Sequence, residues 1–175
     1  MAEMTLRSEA AESLAHDPPG DPCVMVIFGG SGDLTKRLLM PALFNLACDG
    51  LLPPNFAIVG TALTELTHEA FRDQLSKDIR QFATRDFNEA VWSEFVQHLY
   101  YTPGNFDDPA AYQQLKQLLE ELDQKYQSNG NHLFYLAVPP VVFSLIARQL
   151  GEAGLASEQQ GWSRLVIEKP FGHEL

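Results

Sequence analysis

Short, continuous apolar runs alternate along the chain with longer segments in which apolar residues recur at helical spacing. Runs of this kind, bounded by glycine or proline, are typical of strands buried on both faces of a sheet. They predict strands at residues 23–28, 56–59, 99–102, 132–138 and 164–168. Because every strand but the last is followed by a helical segment, the order predicts right-handed crossovers and a parallel sheet. The expected fold is α/β, Rossmann-like and doubly wound, with a mainly parallel sheet and helices on both faces.

The first helical segment covers residues 34–48 and contains a proline. Because proline lacks an N–H group and clashes with the preceding turn, Pro41 predicts a kink or a restart of the helix. The predicted buried face consists of Leu34, Leu38, Leu39, Ala42, Leu43 and Leu46.

Capping signals predict three further helices. The signals are Thr67 for a helix ending at Phe82, Asp86 with Glu89 as a capping box for a helix to about His98, and Asp108 with Pro109 for the next helix. A last helix is predicted over residues 140–150.

Composition narrows the class of protein. With 175 residues, 45% of them hydrophobic and 20% charged, the chain can bury a core without disulfides or metals. Its net charge of −11 argues against nucleic-acid and anionic-membrane partners. No apolar stretch approaches the roughly 18 residues that suggest a membrane span. Cys23 and Cys48 are expected to be reduced core thiols of a cytosolic protein.

Residues 1–22 differ from the rest, with five acidic residues, one basic residue and a final cluster of prolines and a glycine. This composition predicts a disordered or loosely helical acidic tail. The segment has neither the basic region nor the apolar region of a secretory signal, so the expected location is cytoplasmic. The expected folded domain covers residues 23–175.

The segment most informative about function follows the first predicted strand and opens the first helix, the context of a dinucleotide-binding fingerprint. Glycines there allow a tight turn and close approach to a pyrophosphate, and the helix N-terminus attracts phosphates. The candidate cofactor-binding residues are Gly29, Gly30, Ser31, Gly32, Asp33, Leu34, Thr35 and Lys36. Thr35 occupies the third glycine position, and the absence of a glycine before Lys36 excludes a phosphate-loop NTPase site. A tight turn without a ligand is the alternative.

Two other positions bear on the ligands. No acidic residue directly follows the second strand, which argues against ordinary NAD binding, and Glu65 is expected to be a solvated loop residue. Lys169 follows the last strand, at the edge where ligands bind, and its ammonium group is suited to a phosphate or a hydroxyl. An ordinary salt bridge is the alternative for Lys169.

Five segments resemble the amino-terminal part of the glucose-6-phosphate dehydrogenase family. They read FGGSGDLTKR, GLLP, AIVGTA, HLFYLAVPP and RLVIEKPFG, within residues 24–174. The resemblance implies oxidation of glucose 6-phosphate to 6-phosphogluconolactone with NADP, the first step of the pentose phosphate pathway. It implies that residues 29–36 line the cofactor phosphates and ribose. It also implies that Lys169 contacts both the nicotinamide half and the sugar phosphate.

The resemblance also implies what this chain does not contain. The family's general base is a His in a larger antiparallel-sheet domain, which also carries most of the sugar site and the dimer interface. None of the five His in this chain matches that residue, so no catalytic residue is expected here. We expect the chain to be a fragment that is inactive alone and belongs to a homo-oligomeric enzyme.

Two departures from the family pattern concern the cofactor. Leu63 stands where the family usually has an Arg that grips the NADP 2′-phosphate, so NAD is an expected alternative to NADP. Ser31 and Arg37 are the candidates to replace that Arg in part. Phe143 stands where some members have a cofactor-binding Tyr. Because only the hydroxyl is lost, the expected effect on cofactor binding is smaller than that of Leu63. The competing functions are a non-catalytic NAD(P)-sensing regulatory domain and a plain interaction domain, neither of which requires the Lys169 motif.

Overall fold

A computed structural model describes residues 19–168 of the chain. The predicted acidic tail, apart from its last four residues, lies outside the described residues, and so does Lys169. Within the described range, no helix combines the length and apolar character that crossing a membrane requires.

The strands of the described residues are β1 (Cys23–Phe28), β2 (Phe56–Ala62), β3 (Leu99–Pro103), β4 (His132–Leu136) and β5 (Ser163–Ile167). They form one sheet in the order β3-β2-β1-β4-β5, and all four pairings are parallel. The α-helices are α1 (Met40–Cys48), α2 (His68–Phe82), α3 (Glu89–Phe95), α4 (Pro109–Tyr126) and α5 (Phe143–Glu152). The predicted parallel α/β fold is confirmed.

Helices cover both faces of the sheet, and each face has its own core. On one face, α1, α2 and α3 pack around a cluster that includes Phe44, Phe71 and Trp92. On the other face, α4 and α5 pack around a cluster that includes Leu119 and Ile146. The central strand, β1, is apolar throughout because it is buried from both sides.

The predicted bounds of β1 are confirmed, whereas those of the other four strands differ from the prediction by one to three residues. β2 continues through Gly60 to Ala62, whereas the glycine suggested an end at residue 59. Gly60 belongs to the strand because the Phe71 ring fills the space of a side chain there, 2.6 Å from an ideal Cβ position. β4 ends at Leu136, before the predicted residue 138, and β5 begins and ends one residue earlier than predicted.

The predicted interruption at Pro41 takes the form of a wider helical turn. Residues Thr35–Leu39 are π-helical, and the Met40 N–H donates to the Thr35 carbonyl, five residues back. A wider turn accommodates the proline ring, which would otherwise meet the carbonyl four residues earlier. The extra residue also rotates the helix, so the predicted buried face was wrong in part. Leu39 and Leu43 pack against the core, whereas Leu38, Ala42 and Leu46 are exposed. Leu38 is 62% exposed, whereas Phe44 is buried.

The caps of α2 and α4 are confirmed, whereas the cap of α3 is a different residue. The Asn88 side chain, not Asp86, accepts from the Val91 N–H at 3.1 Å. Glu89 does not reach back in a capping box, because both of its carboxylate oxygens pair with Arg80, at 2.9 and 3.0 Å. The last predicted residues of this helix, Val96–His98, form a 3-10 turn.

The two cysteines are free, but they are not both core residues. Cys23 is half-buried in β1. Burial is the main cause of the raised pKa of its thiol, and the nearby Asp21 carboxylate raises it further. Cys48 is exposed at the end of α1, so its assignment to the core was wrong. It is the last residue of α1, and the turn that follows it, Asp49 and Gly50, is exposed as well.

Candidate functional site

The strand order reverses direction at β1, which lies between β2 and β4 at the centre of the sheet. The chain passes from β1 to β2 and β3 on one side, and then crosses to β4 and β5 on the other. Open parallel sheets bind ligands in the crevice at such a switch point, at the carboxyl ends of the strands. The segments there are the glycine turn (residues 29–32), the β2 loop (residues 63–66) and the segment after β4 (residues 137–139).

The glycine turn is fixed against the neighbouring strands. The N–H groups of Gly29 and Gly30 both donate to the Thr61 carbonyl in β2, at 2.9 and 3.1 Å. Gly29 has a φ of +87°, and a Cβ on it would lie 2.2 Å from the Ala137 carbonyl oxygen. A Cβ on Gly30 would lie 2.5 Å from the Cα of Gly60. These two glycines are therefore required by the packing of the turn onto β2 and β4.

Thr35 stabilises the glycine turn through a hydrogen bond from its buried side chain. It is completely buried, and its hydroxyl donates to the Gly29 carbonyl at 2.8 Å. The Gly32 N–H donates to the same carbonyl at 2.9 Å. The departure from the three-glycine pattern thus adds a hydrogen bond inside the turn. A Cβ on Gly32 would meet only the Gly29 oxygen, at 3.2 Å, which leaves the space beside Gly32 open for a ligand.

The helical segments that follow β1 and β4 begin without side-chain caps. The helices that begin after β2 and β3 are capped. The side chains of Thr67 and Asp108 accept from the Ala70 and Ala110 N–H groups, at 3.1 and 2.9 Å. Uncapped N–H groups and the positive end of the helix dipole suit a phosphate. The helix start after the glycine turn is therefore chemically matched to a pyrophosphate. The segment after β4 offers fewer free N–H groups, because Pro139 and Pro140 have none.

Charged residues of the first helical turn pair with one another. The Lys36 Nζ lies 2.9 Å from the Asp33 carboxylate, and the Arg37 Nε lies 3.9 Å from it. The hydrogen bond from Lys36 is the main cause of the lowered pKa of Asp33. The Arg37 guanidinium stacks 5.0 Å from the Phe82 ring, in the last turn of α2. Phe82 is at the opposite end of α2 from the β2 loop, which precedes the first turn of that helix.

The β2 loop lies beside the glycine turn. Ser31 Oγ and Thr64 Oγ1 are 3.5 Å apart, so Ser31 is the candidate that reaches this loop. Leu63 is 65% exposed and offers no hydrogen-bond donor in its side chain, and Glu65 is exposed as expected. A groove of about 420 Å³ opens next to them, lined by Leu63, Glu65, Pro103, Gly104, Asn105 and Asp108, among others.

Two residues of the site were missed in the sequence. Thr61 receives both glycine-turn N–H groups, and its only signal was the continuation of the apolar run past Gly60. The Tyr101 hydroxyl donates to the Thr64 carbonyl at 2.7 Å, a contact with no signal in the local pattern. Two other predicted positions lie elsewhere. Phe143 is half-buried at the start of α5, and Lys169 follows the end of β5 by two residues, outside the described range.

The chain matches known proteins over almost its whole length. The family described as "Glucose-6-phosphate dehydrogenase, NAD binding domain" matches residues 26–175. The glucose-6-phosphate 1-dehydrogenase of Chlamydia muridarum is 44% identical over 163 residues, which cover 90% of this chain and 32% of that protein. Glucose-6-phosphate 1-dehydrogenase 2 of Mycobacterium bovis is 43% identical over 155 residues, covering 88% of this chain and 30% of the relative.

Solved structures give the same result. A glucose-6-phosphate dehydrogenase in complex with glucose-6-phosphate superimposes with a TM-score of 0.78 at 33% identity, covering 90% of this chain and 32% of that one. The glucose-6-phosphate 1-dehydrogenase of Mycobacterium avium has a TM-score of 0.72 at 30% identity, with coverages of 89% and 31%. The chain thus spans about a third of the length of the relatives it matches. It belongs to the glucose-6-phosphate dehydrogenase family, of which it matches the NAD binding domain.

Proposed function

We propose that the chain is the coenzyme-binding part of an enzyme that oxidises glucose 6-phosphate to 6-phosphogluconolactone with NADP. The observation that carries this proposal is the glycine turn at the switch point, followed by a helical segment that begins without a side-chain cap, in a member of this family. The coenzyme, when bound, supplies the hydride acceptor. The residues of this chain bind it and orient it.

The coenzyme fits this edge of the sheet in both shape and charge. Gly29, Gly30, Ser31, Gly32, Asp33, Leu34, Thr35 and Lys36 are proposed to hold its phosphates and ribose. The open space beside Gly32 supports this role, and so do the N–H groups that no side chain caps. The adenosine half would lie toward the β2 loop, where the groove beside Leu63 opens.

Substrate and base are proposed from the family pattern. β5 ends at Ile167, at the edge of the sheet that carries the glycine turn. Lys169, two residues later in the sequence, is proposed to contact the nicotinamide half and the sugar phosphate. Oxidation also requires a base that takes the proton of the C1 hydroxyl as the hydride leaves. We propose that this base belongs to the part of the enzyme that follows the matched domain. The intact protein is proposed to be cytoplasmic and homo-oligomeric, without nucleic-acid or membrane partners.

The activity of the chain alone tests whether the catalytic base lies outside the coenzyme-binding part of the enzyme. We expect the purified 175-residue chain to form no NADPH from glucose 6-phosphate, because the base and the second wall that orients the sugar are proposed to belong to the rest of the enzyme. The intact enzyme is the positive control, and NADPH absorbance is the measurement. Turnover by the chain would place the base within these residues, and an inactive intact enzyme would refute the proposed reaction.

Replacing Leu63 tests the preference for NADP. Leu63→Arg is expected to tighten NADP about tenfold, because a guanidinium forms charge-assisted hydrogen bonds to the 2′-phosphate. NAD lacks that phosphate, so its KM should hardly change. Steady-state kinetics of the intact enzyme with both coenzymes provide the measurement.

Leu38→Arg is the matched control, since Leu38 is exposed to a similar extent, 62% against 65%, on a different surface. It adds the same charge and should leave both KM values unchanged. If Leu63→Arg tightened NAD and NADP binding equally, or if Leu38→Arg tightened either, the 2′-phosphate would not bind beside residue 63.

A further inference from the structure

Tyr101 is a buried phenol of β3 that holds the β2 loop. Its side chain is 3% exposed, and its hydroxyl donates to the Thr64 carbonyl at 2.7 Å. The Ala62 carbonyl lies 3.4 Å from the same hydroxyl. One phenol thus contacts the end of β2 and the middle of the loop that follows it.

The phenol itself is rigidly placed. The Tyr101 backbone N–H donates to His68 Nδ1 at 2.9 Å, which fixes this point of the edge strand. Its ring lies 4.9 Å from the Phe71 ring, which in turn fills the space beside Gly60. Burial raises the pKa of the Tyr101 hydroxyl, so the group stays protonated and remains a donor at neutral pH.

The β2 loop has few other anchors at its centre. Leu63, Thr64 and Glu65 are all exposed. The Thr64 hydroxyl lies at the 3.5 Å limit of a hydrogen bond to Ser31, and the Gly104 N–H donates to the Ala62 carbonyl, at the end of β2 and before the loop. The phenol therefore provides the one short contact that holds the Thr64 backbone among the described residues.

We propose that Tyr101 is a positioning residue for the coenzyme, which sets the β2 loop against the glycine turn so that both contact one dinucleotide. This inference rests on the proposed function, since it requires the adenosine half to lie at the β2 loop. Tyr101 does not touch the reacting atoms in this account. Its loss weakens coenzyme binding and leaves the chemical step and the binding of the sugar phosphate unchanged.

Tyr101→Phe removes the hydroxyl and keeps the ring. In the intact enzyme, the KM for NADP is expected to rise roughly fivefold, the loss of one ordinary hydrogen bond. Tyr100→Phe is the matched control. Tyr100 is the preceding residue of β3, is 7% exposed, and faces the other core, where its hydroxyl pairs with that of Tyr126 at 2.7 Å. Both variants lose a buried phenol contact, but only one of these contacts reaches the β2 loop.

The measurements are kcat, the KM for NADP and the KM for glucose 6-phosphate, with thermal melting of each variant. The expected result is a raised KM for NADP in Tyr101→Phe alone, with kcat and the sugar KM unchanged in both variants. An equal KM for NADP in the two variants overturns the inference and leaves the proposed function intact. An intact parent enzyme that does not use NADP overturns the proposed function and the inference together.

Discussion

Replacing Gly29 by alanine is expected to lower the free energy of unfolding by about 4 kcal/mol, combining a left-handed backbone with overpacking. The backbone has a φ of +87°, which an L side chain rarely adopts, and the new Cβ would lie 2.2 Å from the Ala137 carbonyl. A loss of this size is a large part of the stability of an ordinary domain. Urea denaturation of the chain provides the measurement.

Substitutions at two other glycines distinguish the cost of the left-handed backbone from the cost of overpacking. Gly50 has a φ of +67° but no atom within 4 Å of its Cβ position, so Gly50→Ala carries only the backbone cost. Gly151, in α5, has no strain and no contact, so Gly151→Ala should gain up to about 1 kcal/mol from helix propensity. If Gly29→Ala costs no more than Gly50→Ala, the close packing of the glycine turn on the segment after β4 is wrong.

Replacing Lys169 by alanine in the intact enzyme is expected to lower kcat/KM for glucose 6-phosphate at least about a hundredfold. The proposed contacts of its ammonium group, with the sugar phosphate and the nicotinamide half, would both be lost, and a single electrostatic contact in an active site is commonly worth this much. Steady-state kinetics with varied glucose 6-phosphate provide the measurement.

The control must be a lysine without a structural contact. Lys116 is unsuitable, because its Nζ lies 3.4 Å from the Ala153 carbonyl and the residue is half-buried in α4. Lys77 is exposed on α2, so Lys77→Ala should leave the kinetics unchanged. Similar kinetics for the Lys169 and Lys77 variants would leave Lys169 without a role in the reaction.

The sheet could be predicted from the sequence because each strand is a continuous apolar run, as strands buried on both faces require. The glycine turn was predictable for a related reason. A strand followed at once by glycines and a helix has few alternatives. The caps of α2 and α4 were also local, since Thr67 and Asp108 bond to N–H groups only three and two residues away.

The features that could not be predicted depend mostly on contacts between residues that are distant in the sequence. The Tyr101 hydroxyl and the Thr64 carbonyl are 37 residues apart, and no local pattern marks such a pair. Glu89 was predicted to cap its own helix, but it pairs with Arg80 of the preceding helix. The π-helical turn shows a different limit. Pro41 predicted an interruption, whereas the direction in which the helix rotates follows from the packing of Met40 and Phe44 against the sheet.

An NMR titration of the isotopically labelled chain with NADP reports where a dinucleotide binds. We predict saturable amide shifts concentrated at residues 29–36 and in the β2 loop, around Leu63 and Thr64. The groove of about 310 Å³ lined by Asp123, Gly130 and His132, among others, should not respond. A folded chain whose amides do not shift with NADP, or shift only around His132, would contradict a coenzyme site at the glycine turn.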